Sequence, residues 1–421
     1  MGAESAPSAG SDEERQRRRT YDTLLRLPVR LEAVLLYGAA LCFDAVLALF
    51  TVVPLRVLAL VARGVTRRSA APVREAIFTD FIWVIVVGVA VFALRRVPIS
   101  VLYHYIRGQE MLKLYVIFGM LEIFDKLCCA FISEVLDALS YSATRVRGRF
   151  DERARRKGAS SEWEENEDLV VEMGRLLLDL CVTLVAVTFH AMVLLAMAIT
   201  LNVAVNSKNN SLLALLISNN LTETKSAVFK KMDPQKLYNL VCQDIGERVA
   251  VTVSLLFVVA QSGLHAAPIS LRLAIQCGIV IFSEICVDML KHAFSCKFND
   301  IQPVVYTGFL HDIALRTSCV RSHQVHRLLG YAPLGATAIV LRTLLDEAWG
   351  FSVRDWFALV AATLLAKLAL GLALKRVAAR VLQQSRPPNS PTASPARWAR
   401  LDPSVLALGK PRRPSSIDGR L

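Results

Sequence analysis

Residues 180–199 read LCVTLVAVTFHAMVLLAMAI, twenty consecutive positions without a formal charge, interrupted only by His190. A helix rises about 1.5 Å per residue, so such a run reaches ~30 Å, the thickness of a bilayer's hydrocarbon core. The pattern recurs on both sides. Ala33–Ala62 is apolar except for Asp44, Pro54 and Arg56, and its first 21 residues, to Val53, suffice to cross. Ala76–Leu94 follows, with Asp80 near its start. Arg56, Arg63, Arg67, Arg68 and Arg74 lie between the two, opposite a basic N-terminus if both runs span. The positive-inside rule therefore predicts that one of them is re-entrant or interfacial. Ile269–Phe294 spans with a polar C-terminal half, and Trp356–Leu374 is long enough but carries Lys367 mid-run. Val249–Ala260 has only 12 residues and crosses by recruiting its flanks, while Leu334–Leu345 is marginal and contains Arg342. These runs predict an all-α polytopic helix bundle of six to eight spans with amphipathic interfacial helices.

Composition agrees. The chain has 421 residues, 54% of them hydrophobic and 20% charged, with a mean hydropathy of +0.43. That concentration of apolar runs excludes a soluble enzyme, a disordered chain and a secreted disulfide scaffold. The net charge of +13 sits mostly beside the apolar runs, where anionic headgroups and the positive-inside rule account for it without nucleic acid. Nine scattered cysteines form no C-x-x-C pair, so they are read as buried thiols rather than as a disulfide framework or zinc site. Residues 1–30 form a polar segment that fits a short helix capped by Ser11 with Glu14 and fits disorder equally well. No cleavable signal peptide is visible, so the first span is expected to direct insertion. Residues 31–382 form the membrane domain, and 383–421, rich in proline and basic residues, read as a disordered cytoplasmic tail.

Two further segments have distinct character. Across Met111–Leu139, Glu122, Asp125, Lys126, Ser133 and Asp137 fall within one stripe at 100° per residue. Such a helix lies on the membrane surface or turns its polar stripe into the bundle. Arg145–Lys157 is basic and reads as cytoplasmic, whereas Glu162–Glu172 is acidic, with Ser161 and Glu164 spaced as a capping box. Asn206–Met232 is polar and holds sequons at Asn209 and Asn220, relevant only if that loop is lumenal.

Ionisable residues inside apolar runs are the candidates for function, because each costs roughly 2.5–3.5 kcal/mol at the bilayer centre. Glu284, Asp288, Lys291, His292, Ser295 and Asn299 share one helical face. An interhelical packing face accounts for them better than a proton or ion path, since Lys291 supplies a counter-charge within the helix. Asp44 and Lys367 are placed to pair with each other, whereas Asp80 and Asp179, near span ends, read as interfacial. His311, His323 and His326 with Asp312 have half the spacing of a zinc site and read as a solvated basic helix. No nucleophile elbow, phosphate loop or H-E-x-x-H occurs, so no catalytic residue, cofactor or metal is assigned.

Three stretches together resemble a known family: YIRGQEMLKLYVIFGMLEIFDKLCCAFISEVLDAL at 105–139, SLLALLISNNLTETKSAVFKK at 211–231, and SEICVDMLKHAFSCKFNDI at 283–301. They are similar to the transmembrane anterior posterior transformation protein family, over residues 75–380. The resemblance implies a multi-pass protein of the endoplasmic reticulum and early secretory membranes. Fungal members act with a SUN-domain-like partner to protect newly made lumenal proteins, animal members are linked to cilium assembly and axial patterning, and plant members to lumenal folding. The implied role is a non-enzymatic scaffold for folding, quality control or trafficking, contacting membrane lipids and a membrane protein partner but no nucleic acid. The family establishes no catalytic residues. Its motifs fall here on docking segments that include Glu122, Asp125, Lys126, Asp137, Asn219, Asn220, Lys225 and Lys230, and on the Glu284–Asn299 packing face. A transporter or channel using Asp44, Asp288, His292 and Lys367 is the rival reading.

Overall fold

The first apolar run continues a long helix, α1, Ala9–Leu47, through a π turn at Ala48–Val52 into α2, Val53–Ala62. Pro54 has no N–H to give, and the widened turn directly before it absorbs that loss. The structure, a computed structural model, describes residues 9–62, 71–155, 162–207, 214, 231–262, 270–317, 324–347 and 352–384. Ser11 lies inside α1 rather than capping a separate helix, and α1 continues past Pro28. Ser161, Asn209, Asn219, Asn220, Lys225, Lys230, His323 and the 385–421 tail lie outside the described residues.

Every element described is helical. After α2 come α3 (Ala71–Arg95), α4 (Ile99–Arg107), α5 (Met111–Arg155) and α6 (Glu162–Asn206). Then follow α7 (Pro234–Gln261), α8 (Leu271–Phe298), α9 (Val304–Thr317), α10 (His326–Leu329), α11 (Pro333–Glu347) and α12 (Val353–Gln384). Four stretches are long and apolar enough to cross a membrane: Leu25–Ala59, Leu169–Asn206, Leu271–Phe298 and Val353–Gln384. A fifth arises if the pair Asp80–Arg95 and Ile99–Arg107, bent by 60°, is one broken span. The bend sits at Pro98, where the next helix opens. Arg342 of α11 donates to the Val97 carbonyl at 2.6 Å, so a buried cation satisfies an acceptor that the broken helix leaves free. That is the work of Arg342 in a 15-residue helix too short to span.

Pro234 and Asp233 explain why the 12-residue run at 249–260 becomes a 28-residue helix. Asp233 accepts from the Lys236 amide at 2.8 Å and Pro234 occupies the first turn, so α7 starts well before its apolar stretch. α7 is the central post: Leu237, Val241, Ile245, Val249 and Val258 are wholly buried. It packs on α1, α6, α8 and α11, while α5 lies along α6. Where α1 crosses α7, Gly38 faces Ile245 so closely that a Cβ would come within 2.3 Å of its Cδ1. A small residue is what permits that approach.

α5 turns its polar stripe inward. Asp125 is buried, and Glu122 and Lys126 are half-buried. From Leu114 to Ser133 the exposed residues are Val116, Ile117, Met120, Ile123, Phe124, Leu127, Ala130 and Phe131, all apolar. Exposed Lys113 and Glu134 bracket them. An outward surface of this kind fits hydrocarbon, with the charges held inside the bundle.

Candidate functional site

The buried charges of α7 and α8 interlock. Asp244, Glu247 and Arg248 occupy one face of α7, and Glu284, Asp288, Lys291 and His292 one face of α8. Arg248 donates through Nε to Asp288 Oδ2 and through Nη1 to Glu32 Oε1 of α1, each at 2.7 Å. Lys291 Nζ donates to Asp244 Oδ1 at 2.8 Å and stands 3.7 Å from both Glu247 Oε2 and Asp288 Oδ1. His292 bridges, its Nε2 2.6 Å from Asp244 Oδ2 and its Nδ1 2.8 Å from the Tyr306 hydroxyl on α9. Lys126 of α5 approaches Glu247 Oε1 at 2.9 Å. Five helices thus converge on one ionic centre.

The three carboxylates Asp244, Glu247 and Asp288 present oxygens within 4.8 Å of one another, close enough to ligate a metal ion. The Lys291 ammonium already stands among them, a tethered cation in the position a free one would take. The nearest counter-charge of Lys291 is Asp244 of the neighbouring helix, with Asp288 of its own helix further off. The pairing is thus interhelical first. Glu284 is buried one turn before Asp288, with Asp288, Glu247 and Lys291 as its charged neighbours. Asn299 caps α8, and its Oδ1 accepts from the Met232 amide at 2.7 Å.

Sequence reading found the α8 half of this centre and missed Glu32, Asp244, Glu247, Arg248 and Tyr306. The signal for α7 was present: Asp244, Glu247 and Arg248 follow the i, i+3, i+4 spacing of one helical face. It was overlooked because the apolar run was taken to begin only at Val249.

Other intramembrane charges are paired as well. Lys367 Nζ donates to Asp44 Oδ1 at 2.6 Å, the pair foreseen across the bundle. Asp80 is wholly buried and faces Arg56 of α2 at 3.5 Å, because α2 packs back against α3. Asp179 accepts from Ser142 at 2.5 Å. On α5, Asp125 Oδ1 meets His190 Nε2 at 2.8 Å. Asp137 is exposed and bound to Arg327 at 2.8 Å. His326 is not solvated; it is buried beside Trp83 and lies 3.7 Å from Asp137. His326 and then Arg327 hold the Asp137 carboxyl below the usual carboxylate range against the opposing effect of burial.

Between α5 and α6 an apolar groove of about 580 Å³ opens outward, its walls including Phe124, Leu127, Phe131, Val185 and Phe189. The site therefore consists of a paired ionic interior under an apolar exterior. Such an arrangement fixes helices relative to one another.

Residues 73–383 match a eukaryotic membrane protein family. A protein of Arabidopsis thaliana called POLLEN DEFECTIVE IN GUIDANCE 1 is 36% identical over 81% of this chain and 52% of its own length. The transmembrane anterior posterior transformation protein 1 homologue of Xenopus laevis is 33% identical over 78% of this chain and 60% of its own. Its counterpart in Homo sapiens is also 33% identical, over 78% of this chain and 57% of its own. The chain thus spans between half and two thirds of the length of these relatives. No solved structure matches.

Proposed function

Because the chain belongs to the eukaryotic membrane protein family that these transmembrane anterior posterior transformation proteins share, we propose that it is a non-enzymatic scaffold. Its place is the endoplasmic reticulum and early secretory membranes, where it supports folding, quality control or trafficking of secretory proteins and, in ciliated organisms, cilium assembly. Its partner is a membrane protein with a SUN-domain-like region. One observation carries the reading: the ionisable side chains inside the helices pair with one another, as in Asp44–Lys367, Arg248–Asp288 and Lys291–Asp244. Breaking any such pair leaves an uncompensated buried charge, so these groups favour one fixed arrangement over an alternating one. A transporter needs the same residues free to exchange partners near a cavity.

The outward apolar side of α5, at Met120, Ile123 and Leu127, is the surface for the partner's membrane segment. The test is purification of the tagged chain in mild detergent beside a Met120→Trp/Leu127→Trp variant of equal abundance. A membrane protein retained in fixed ratio by the wild type and lost from the variant is the expected result. A wild type that purifies alone, and whose proteoliposomes carry an ion flux abolished by Asp288→Asn, overturns the scaffold in favour of transport.

A further inference from the structure

Asp125 and Cys129 lie one turn apart on α5, and both face His190 of α6. His190 Nε2 is 2.8 Å from Asp125 Oδ1 and 3.7 Å from Cys129 Sγ. The three ligand atoms all lie within 4.8 Å of one another. His190 is wholly covered and Asp125 almost so. Gly335 packs against the other edge of the ring, where an added Cβ would come within 2.7 Å of Nδ1. Nε2 faces the carboxylate and the sulfur. Tyr331 adds an independent sign. Its hydroxyl is buried with no hydrogen-bond partner, and Cys42, Cys129 and Asp125 are its electrostatic neighbours.

We propose that Asp125, Cys129 and His190 bind one zinc ion, with the Tyr331 hydroxyl or a water as fourth ligand. Zinc bonds of about 2.1 Å to nitrogen and oxygen and ~2.3 Å to sulfur give tetrahedral separations near 3.4 Å (N···O) and 3.6 Å (N···S). The N···S distance already fits. The Asp125 carboxylate has to withdraw by about 0.6 Å, a side-chain adjustment. Charge decides between this site and the other triad of metal-capable groups. A carboxylate, a thiolate and a neutral imidazole around a dication sum to zero, the state a low-dielectric interior tolerates. The Asp244–Glu247–Asp288 triad is all oxygen and already faces Lys291. Thiolate and imidazole suit zinc, whereas carboxylates alone suit magnesium or calcium. Binding releases the Cys129 proton to solvent, and the proton that His190 Nε2 shares with Asp125 moves to Nδ1 or leaves with it. The ion ties α5, α6 and the turn at Gly330–Ala332 together at the back of the α5–α6 groove.

The test uses the full chain in detergent, purified through an epitope tag rather than a metal column. About one zinc per chain is expected by elemental analysis, falling at least tenfold in Cys129→Ser and in His190→Gln and unchanged in Cys128→Ser. Cobalt(II) exchanged into the wild type gives a thiolate-to-cobalt charge-transfer band, abolished by Cys129→Ser and retained in Cys296→Ser. Should Cys129→Ser fail to fold, the wild-type band and its loss with a chelator decide the matter. Wild type that holds no zinc after saturation and dialysis, or zinc held equally by Cys129→Ser, overturns the site.

Discussion

At the scale of single residues, the chain depends on buried charges held by opposite charges and on a glycine that admits a neighbouring side chain. Asp44 and Lys367 are separated by 323 positions and meet at 2.6 Å, with little of either side chain uncovered. Removing one charge strands the other, so Lys367→Met and Asp44→Asn are each expected to cost about 3–5 kcal/mol. The double variant Asp44→Asn/Lys367→Met should cost far less than the sum, because no charge is left buried. Thermal melting of the four proteins in one detergent measures the coupling; additive losses would mean the pair contributes nothing as a pair. Gly38 makes the complementary point about volume. Its missing side chain lets α1 approach Ile245, and Gly38→Ala is expected to destabilise by about 1–3 kcal/mol through overpacking. Ile245→Val removes the Cδ1 atom that a new Cβ would strike, so Gly38→Ala/Ile245→Val should melt above the sum of the two single effects.

At the scale of elements, α5 was legible as an amphipathic helix but not in its orientation. The stripe of Glu122, Asp125, Lys126 and Asp137 is plain in the sequence. Whether it faces water or protein depends on Glu247, His190 and Arg327, which lie on α7, α6 and α10. Periodicity reports a face and says nothing of what covers it. The reverse held for α7, whose charges hid a central helix from a reading based on hydropathy. Asp137 offers a test of the α5–α10 contact outside the spans. Its folded-state carboxyl is held below the ordinary value by His326 and Arg327. A depressed carboxylate contributes stability that is full above its unfolded value, about 3.9, and lost as pH falls through the folded value. The wild type should therefore melt above Asp137→Asn near neutrality, and the gap should close on acidification below that range. The gap is small, because the carboxylate is largely open to solvent. A gap that widens on acidification would assign the contact to something other than this carboxylate.

For the whole molecule, an all-helical membrane bundle followed directly from twenty uncharged residues at 180–199, whereas the number of crossings did not. Hydropathy finds four or five spans because it penalises charge wherever it sits, while α5 and α7 conceal theirs against each other and against α8. Topology nevertheless follows from α6, whose span Leu169–Asn206 separates two segments of opposite character. The basic stretch Arg145–Lys157 precedes it, and the sequons Asn209 and Asn220 follow. One crossing puts the two on opposite sides, and the positive-inside rule predicts a cytoplasmic side for the first. In an endoplasmic reticulum membrane Asn220 is then lumenal and open to glycosylation. Expressed in microsomes, the wild type should lose mass on glycosidase treatment, and Asn220→Gln should abolish or reduce that loss. A sequon introduced between Arg149 and Lys157 should stay unmodified. Modification of the introduced site with none at Asn220 would invert the molecule. It would also carry the turn at 299–303, beyond α8, to the other side. Because α1, α5, α7, α8 and α9 share the one ionic centre at Lys291 and Arg248, and α6 is bound to α5 through His190 and Asp125, none of them can reverse without the rest. A single glycan therefore reports the orientation of the whole bundle.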